Sequence, residues 1–155
     1  MADLTAREIM NKKVITIKKD ASINELSELL VNNKISGVPV LDENGNLAGI
    51  VSEGDIIVQN SDLHFPRYFK LLDAIIYLES LNKFKRSLQK HLATKVEDIM
   101  TVKVKTAGED TPINEIADIM LDSRVNRLPV MDKNNKLVGI ITRADILKSI
   151  VSMNK

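Results

Sequence analysis

The 155-residue sequence predicts an α+β (α/β-like) fold: two β-α-β-β-α units in a pseudo-twofold pair, with a helical segment inserted between them. Three observations predict it. The first is an internal repeat at a constant offset of 90 residues. The stretch 9–59 slides onto 99–149 without a gap, and 18 of its 51 positions are identical. The second is that each copy changes its apolar period from two to about 3.6 and back, which is the change from strand to helix to strand. The third is a turn signal, Asp42 to Gly45, set between two short β-branched runs, which reads as a hairpin.

Taken in order, residues 13–17 (KVITI) are a β-branched run and are expected to form the first strand. Ser22 and Glu25 have capping-box spacing, so a helix is expected to start at Ser22. In the second copy Thr111 is the expected cap, and Pro112 stands at the first helical position. Ile23, Leu26, Leu29 and Leu30, and then Ile113, Ile116, Met120 and Leu121, give each helix one apolar face. Residues 37–41 (GVPVL) and 47–51 (LAGIV) are the hairpin strands, and the second copy has Asn135 where the first has Gly45. Both residue types tolerate the left-handed backbone of such a turn. A final helix starts near Ser52 and near Thr142. The resulting organisation is a first unit over 1–60, an insertion over 61–95 and a second unit over 96–155.

Composition narrows the function. With 22 Lys+Arg against 21 Asp+Glu the net charge is +1, so no global field draws the chain to nucleic acid or to an anionic membrane. The absence of cysteine excludes disulfides, thiolate catalysis and every zinc motif that uses Cys. The N-terminus lacks a signal-peptide pattern, and no apolar run reaches the ~18 residues of a membrane span. A cytoplasmic protein is expected. The two histidines, His64 and His91, are 27 positions apart with no acidic cluster nearby, so no metal site is expected. There is no candidate catalytic constellation, and an enzyme is not expected.

The fragments that carry the repeat also carry a resemblance. They are Ile9–Met10 and Ile99–Met100, residues 37–42 (GVPVLD) and 127–132 (RLPVMD), and residues 49–55 (GIVSEGD) and 139–145 (GIITRAD). This unit resembles the CBS domain, the module named after cystathionine β-synthase, and the chain resembles a stand-alone CBS pair, or Bateman module. The resemblance covers residues 5–59 and 95–151. It implies a regulatory module that binds an adenosyl ligand in clefts between the paired domains and acts on an unidentified partner. AMP, ADP or ATP is the ligand expected first, with S-adenosylmethionine or a cyclic dinucleotide beside them. The other reading is a structural or interaction protein of the same fold that binds no nucleotide.

The motif Gly-x-x-Ser/Thr-x-x-Asp has its own chemistry. The glycines, Gly49 and Gly139, leave room where a side chain would crowd the turn or an approaching ligand. Ser52 and Thr142 cap the final helix, whose N–H groups suit phosphate or ribose oxygens. Asp55 and Asp145 stand one turn further on, where an ionised carboxylate can accept from two ribose hydroxyls. The competing reading is that these pairs only cap their helices. The resemblance assigns Asp55 and Asp145 to the ribose, and Val14 and Val104, in the stretches 13–15 and 103–105 that lead into the first strands, to the adenine. It also implies a basic side chain for phosphate just before the Leu-Pro-Val strand: Arg127, with Arg124 nearby, in the second copy, but Gly37 in the first. Arginine's planar fork suits phosphate oxygens. One cleft is thus expected to combine Val104, Asn126, Arg127, Ser52 and Asp55, with Glu53 as a repulsive neighbour. The other is expected to combine Val14, Ser36, Gly37, Thr142, Arg143 and Asp145, with Arg143 compensating for the missing arginine.

The insertion contains all five aromatics, Phe65, Tyr68, Phe69, Tyr77 and Phe84, and a helix-like leucine spacing. Its seven basic residues outnumber its three acidic ones. An extra helical layer, a dimer contact, a docking surface or a lid over one cleft are its candidate roles. Its basic run lacks the length and the series of interleaved aromatics of a nucleic-acid platform, so nucleic acid is not an expected partner. A homodimer is expected from the apolar helix faces.

Overall fold

A computed structural model describes residues 4–61 and 95–154. The insertion's aromatics, its leucine spacing and both histidines therefore lie outside the described residues. The elements are α1 (Ala6–Ile9), β1 (Ile17–Lys18), α2 (Ile23–Asn33), β2 (Gly37–Leu41), β3 (Leu47–Ser52) and α3 (Glu53–Ser61). After a 3₁₀ turn at Val96–Asp98 come β4 (Ala107–Gly108), α4 (Ile113–Ser123), β5 (Arg127–Met131), β6 (Leu137–Thr142) and α5 (Arg143–Met153). Helices and two small mixed sheets confirm the α+β class. Each sheet has three strands, in the orders β1-β2-β3 and β4-β5-β6.

Two compact units result. One comprises Met1–Thr16, Asn44–Leu47 and Lys103–Lys155; the other comprises Ile17–Glu43 and Ala48–Val102. The copies are continuous in sequence, but the units are not. The segment at 4–11 opens the first copy, yet it packs with the sheet of the second. Ala6 is fully buried there among Ala107, Ile116, Met120, Leu128, Val130 and Ile141. Backbone bonds fasten this strap: Ala6 N–H donates to Thr111 O at 2.9 Å, and Ile113 N–H to Leu4 O at 2.8 Å. Arg7 adds ion pairs to Glu109 at 3.4 Å and Asp110 at 3.3 Å. In the other unit the strap is 95–101. Its Val96 is fully buried, and Val96 N–H donates to Ala21 O at 2.8 Å. No local periodicity announces this arrangement.

The first strand is shorter and later than the β-branched run predicts. Only Ile17 and Lys18 pair with β2, in parallel register opposite Val40 and Leu41. Continued backwards, that register sets Thr16 against Pro39, which has no N–H to donate, so the ladder stops. β4 stops for the same reason: Ala107 faces Val130, and the residue before it faces Pro129. The caps also differ in detail. Ser22 Oγ accepts from Glu25 N–H at 3.1 Å, which is the serine half of the expected box. In the second copy the N-cap is Pro112, one residue later than expected, while Thr111 Oγ1 accepts from Gly108 N–H at 2.9 Å. The hairpin turns follow the sequence, with φ of 79° at Gly45 and 61° at Asn135.

Gly49 and Gly139 serve the straps. A Cβ on Gly49 would stand 2.6 Å from Met100 Sδ and 2.8 Å from the Thr101 carbonyl oxygen. A Cβ on Gly139 would meet the side chain of Met10. The close approach that each glycine permits is therefore made by this chain itself.

Candidate functional site

Each unit brings its predicted hydroxyl and carboxylate together where the last strand hands over to the last helix. Thr142 has the extended backbone of an N-cap, with φ of −112°, and its side chain reaches Asp145 one turn on. Thr142 N–H and Oγ1 both donate to Asp145 Oδ2 at 2.8 Å, and Asp145 N–H returns a longer bond to Thr142 Oγ1 at 3.4 Å. The other unit repeats the pattern. Ser52 N–H donates to Asp55 Oδ2 at 2.8 Å, and Ser52 Oγ does so at 3.3 Å. All four residues are half-buried. The capping reading is thus physically realised, and it leaves room for the other. In each carboxylate the bonds within the unit fall on Oδ2, and an ionised carboxylate has about four acceptor positions.

The helix N-termini are less open than expected. Arg143 N–H donates to Asn126 O at 3.2 Å, and Glu53 N–H donates to Ser36 O at 2.8 Å. The residue before each β2-type strand therefore takes up the first N–H of the final helix, and in α5 Thr142 Oγ1 takes up the third. These bonds join residues about 17 positions apart, a pairing that local spacing does not reveal.

They also fix the grouping. In one unit Asn126, Arg127, Thr142, Arg143 and Asp145 gather at one end of the sheet, with Arg127 directly opposite Thr142 in the β5–β6 register. In the other, Ser36, Ser52 and Asp55 gather with Glu53. Val14 and Val104, both half-buried, belong to the unit that holds Arg127. Of the first expected cleft, Val104, Asn126 and Arg127 lie in one unit, and Ser52 and Asp55 lie in the other. Of the second, Val14, Thr142, Arg143 and Asp145 lie in one, and Ser36 and Gly37 lie in the other.

The two ends carry different charge. Arg127 and Arg143 stand at one, and Gly37 and Glu53 occupy the same positions at the other. Two basic residues that sequence reasoning did not single out for backbone reasons, Lys34 and Arg124, end α2 and α4 in the left-handed conformation, both at φ 53°. Their signal is their position just past each apolar stripe, where glycine is usual and where a cation complements the helix dipole. Among the described residues no group of three His, Cys, Asp or Glu could hold a metal ion, and no helix is long and apolar enough to cross a membrane.

Comparison with known proteins matches the model of the CBS domain twice, at residues 6–60 and 96–152. The chain is similar to the protein MJ1426 of Methanocaldococcus jannaschii, with 37% identity over 94% of this chain and 90% of that one. It is also similar to the chloroplastic CBS domain-containing protein CBSX1 of Arabidopsis thaliana, with 33% identity over 97% of this chain but 66% of the relative's length. Among solved structures, that of CBSX2 in complex with AMP is 25% identical with a TM-score of 0.73, over 97% of this chain and 98% of that one. The CBS domain pair of protein MJ0100, in complex with 5′-methylthioadenosine and S-adenosyl-L-methionine, is 27% identical with a TM-score of 0.70, over 99% of each chain.

Proposed function

The chain belongs to the CBS-domain family, with two copies of the domain in tandem, and from this we propose that it binds an adenosyl ligand and regulates a partner protein according to whether that ligand is bound. AMP, ADP or ATP is the ligand class that Arg127 and Arg143 favour, because a guanidinium matches phosphate oxygens. The observation that carries the reading is the pair of oriented carboxylates. Asp55 and Asp145 are each fixed by a hydroxyl and a backbone N–H at the head of a helix, in both copies. The CBS-pair structures similar to this chain hold AMP, 5′-methylthioadenosine and S-adenosyl-L-methionine, which share the adenosyl group. Catalysis has no part in the proposal, and the cytoplasm is the proposed compartment.

A homodimer forms part of the same proposal. Val31 and Leu121 are 75% and 68% exposed, and Ile57 and Leu147 are both 63% exposed, each pair occupying equivalent positions of the two copies. Sedimentation of a 17.3 kDa monomer at tens of micromolar would reject that part. The alternative, a CBS-fold interaction protein without a nucleotide, is favoured by Gly37 and Glu53 and by the internally satisfied helix ends. Thermal shift with AMP, ADP, ATP, S-adenosylmethionine, 5′-methylthioadenosine and cyclic dinucleotides separates the two readings. A ligand at about 100 times its Kd adds about 2.7 kcal/mol. A flat response across the panel would establish the alternative.

A further inference from the structure

One packing device recurs in both units, and its methionines take no part in the ligand reading. Met10 lies on Gly139 and Met100 on Gly49, and all four residues repeat at the 90-residue offset. Each thioether fills the space that a side chain on the glycine would need. For Met100 the Sδ lies 2.6 Å and the Cγ 3.0 Å from the position of a Cβ on Gly49; for Met10 the Cγ and Cβ lie 2.8 and 3.0 Å from one on Gly139. Beside each seat the strap makes two backbone bonds to an edge strand. Asn11 N–H donates to Ile140 O at 2.9 Å, and Ile140 N–H to Asn11 O at 3.1 Å. Thr101 N–H donates to Ile50 O at 2.9 Å, and Ile50 N–H to Thr101 O at 3.0 Å. The described methionines form three classes. Met120 and Met131 are 2% and 9% exposed, Met153 is 48% exposed, and Met10 and Met100 are half-buried.

We infer that Met10 and Met100 are redox-sensitive latches, and that oxidation of either to the sulfoxide by a peroxide releases its strap from the edge strand. The thioether sulfur gives an electron pair to one peroxide oxygen and the O–O bond breaks. The sulfur keeps that oxygen, and the other leaves as water once protonated. Sulfur is oxidised by two electrons and the peroxide reduced by two. The product is polar and chiral where the thioether was soft and apolar. It forms on a sulfur packed directly against the glycine of the edge strand. Each strap runs on into the first strand of the other compact unit, so oxidation acts on segments through which the chain passes from unit to unit.

The test uses the full chain treated with hydrogen peroxide, with sulfoxide located by peptide mass spectrometry and amide exchange followed on the same samples. Oxidation at Met10 and Met100 is expected after Met153 and before Met120 and Met131. Exchange at Asn11, Ile140, Ile50 and Thr101 should rise about tenfold or more, the consequence of losing one well-seated side chain. A methionine sulfoxide reductase should restore it. The double variant Met10→Leu with Met100→Leu keeps the bulk without the sulfur and should hold its exchange constant in peroxide. Unchanged exchange in chains carrying both sulfoxides would overturn the inference, as would an equal rise in the leucine variant. Oxidation of Met10 and Met100 no sooner than Met120 would do the same. Should the leucine variant fail to fold, the oxidised and unoxidised fractions of the natural chain decide the matter.

Discussion

Replacing Gly49 by alanine sets a methyl group 2.8 Å from the Thr101 carbonyl oxygen as well as 2.6 Å from Met100 Sδ. The sulfur can turn away, but the carbonyl cannot, because Thr101 is bonded to Ile50 in both directions at 2.9 and 3.0 Å. The strap has to shift as backbone. Overpacking in a close-packed site costs about 1–3 kcal/mol, and stretching two backbone bonds adds about 1 kcal/mol, so Gly49→Ala should cost about 3 kcal/mol. At Gly139 the contacts all belong to the side chain of Met10, which can rearrange, and Gly139→Ala should cost about 1–2 kcal/mol. Adding Met10→Ala to Gly139→Ala should recover part of that loss, with a coupling of about 1 kcal/mol. Adding Met100→Ala to Gly49→Ala should recover less, because the carbonyl remains. Equilibrium urea unfolding of the variants reads these differences. The reasoning fails if Gly49→Ala lies within about 0.5 kcal/mol of the natural chain, or if Gly139→Ala is the costlier change.

Lys34→Gly and Arg124→Gly should each stabilise by about 0.5–1 kcal/mol, because both residues sit at φ 53°, where a Cβ is unfavourable; thermal unfolding checks the sign. Arg127→Ala should weaken AMP binding about 10- to 150-fold, the loss of one charge-assisted bond, and should leave adenosine nearly unaffected; calorimetry with the two ligands makes the comparison. Glu43, held below its ordinary value of 4.5 by its own backbone N–H and then by Lys19, adds stability above its unfolded pKa that is lost as pH falls through the depressed folded value. Glu43→Gln should therefore flatten the acid limb of the stability–pH curve, and an unchanged limb would refute the assignment.

What was legible in the sequence follows from range. The turns at Gly45 and Asn135, the hairpin strands and the Ser52–Asp55 and Thr142–Asp145 spacing are set by neighbours within a few positions, and the structure places them as the pattern predicts. The first strand is shorter than its β-branched run predicts because its length depends on Pro39 and Pro129, more than 20 residues away. The straps were illegible for the same reason. Nothing near Ala6 says that it is buried beside Ile116, and nothing near Val96 says that its N–H goes to Ala21. In the candidate site, the Ser/Thr–Asp spacing at the helix heads is local and readable, whereas the Asn126–Arg143 and Ser36–Glu53 bonds that occupy the helix ends are not. The role of Gly49 and Gly139 was half-read: a close approach was expected, but its partners, Met100 and Met10, are strap residues.

The central claim is that Asp55 and Asp145 receive the ribose of an adenosyl ligand. Mutating either also removes a helix cap, so the direct test alters the ligand instead. Calorimetric titration of the natural chain with AMP and with 2′,3′-dideoxy-AMP compares ligands that differ only in the two hydroxyls. The account predicts heat with AMP and an affinity about 10- to 150-fold weaker, or lost, for the dideoxy form, corresponding to about 1.5–3 kcal/mol for a hydrogen bond to a charged group. Equal affinity for the two ligands, or no heat with either, would contradict it.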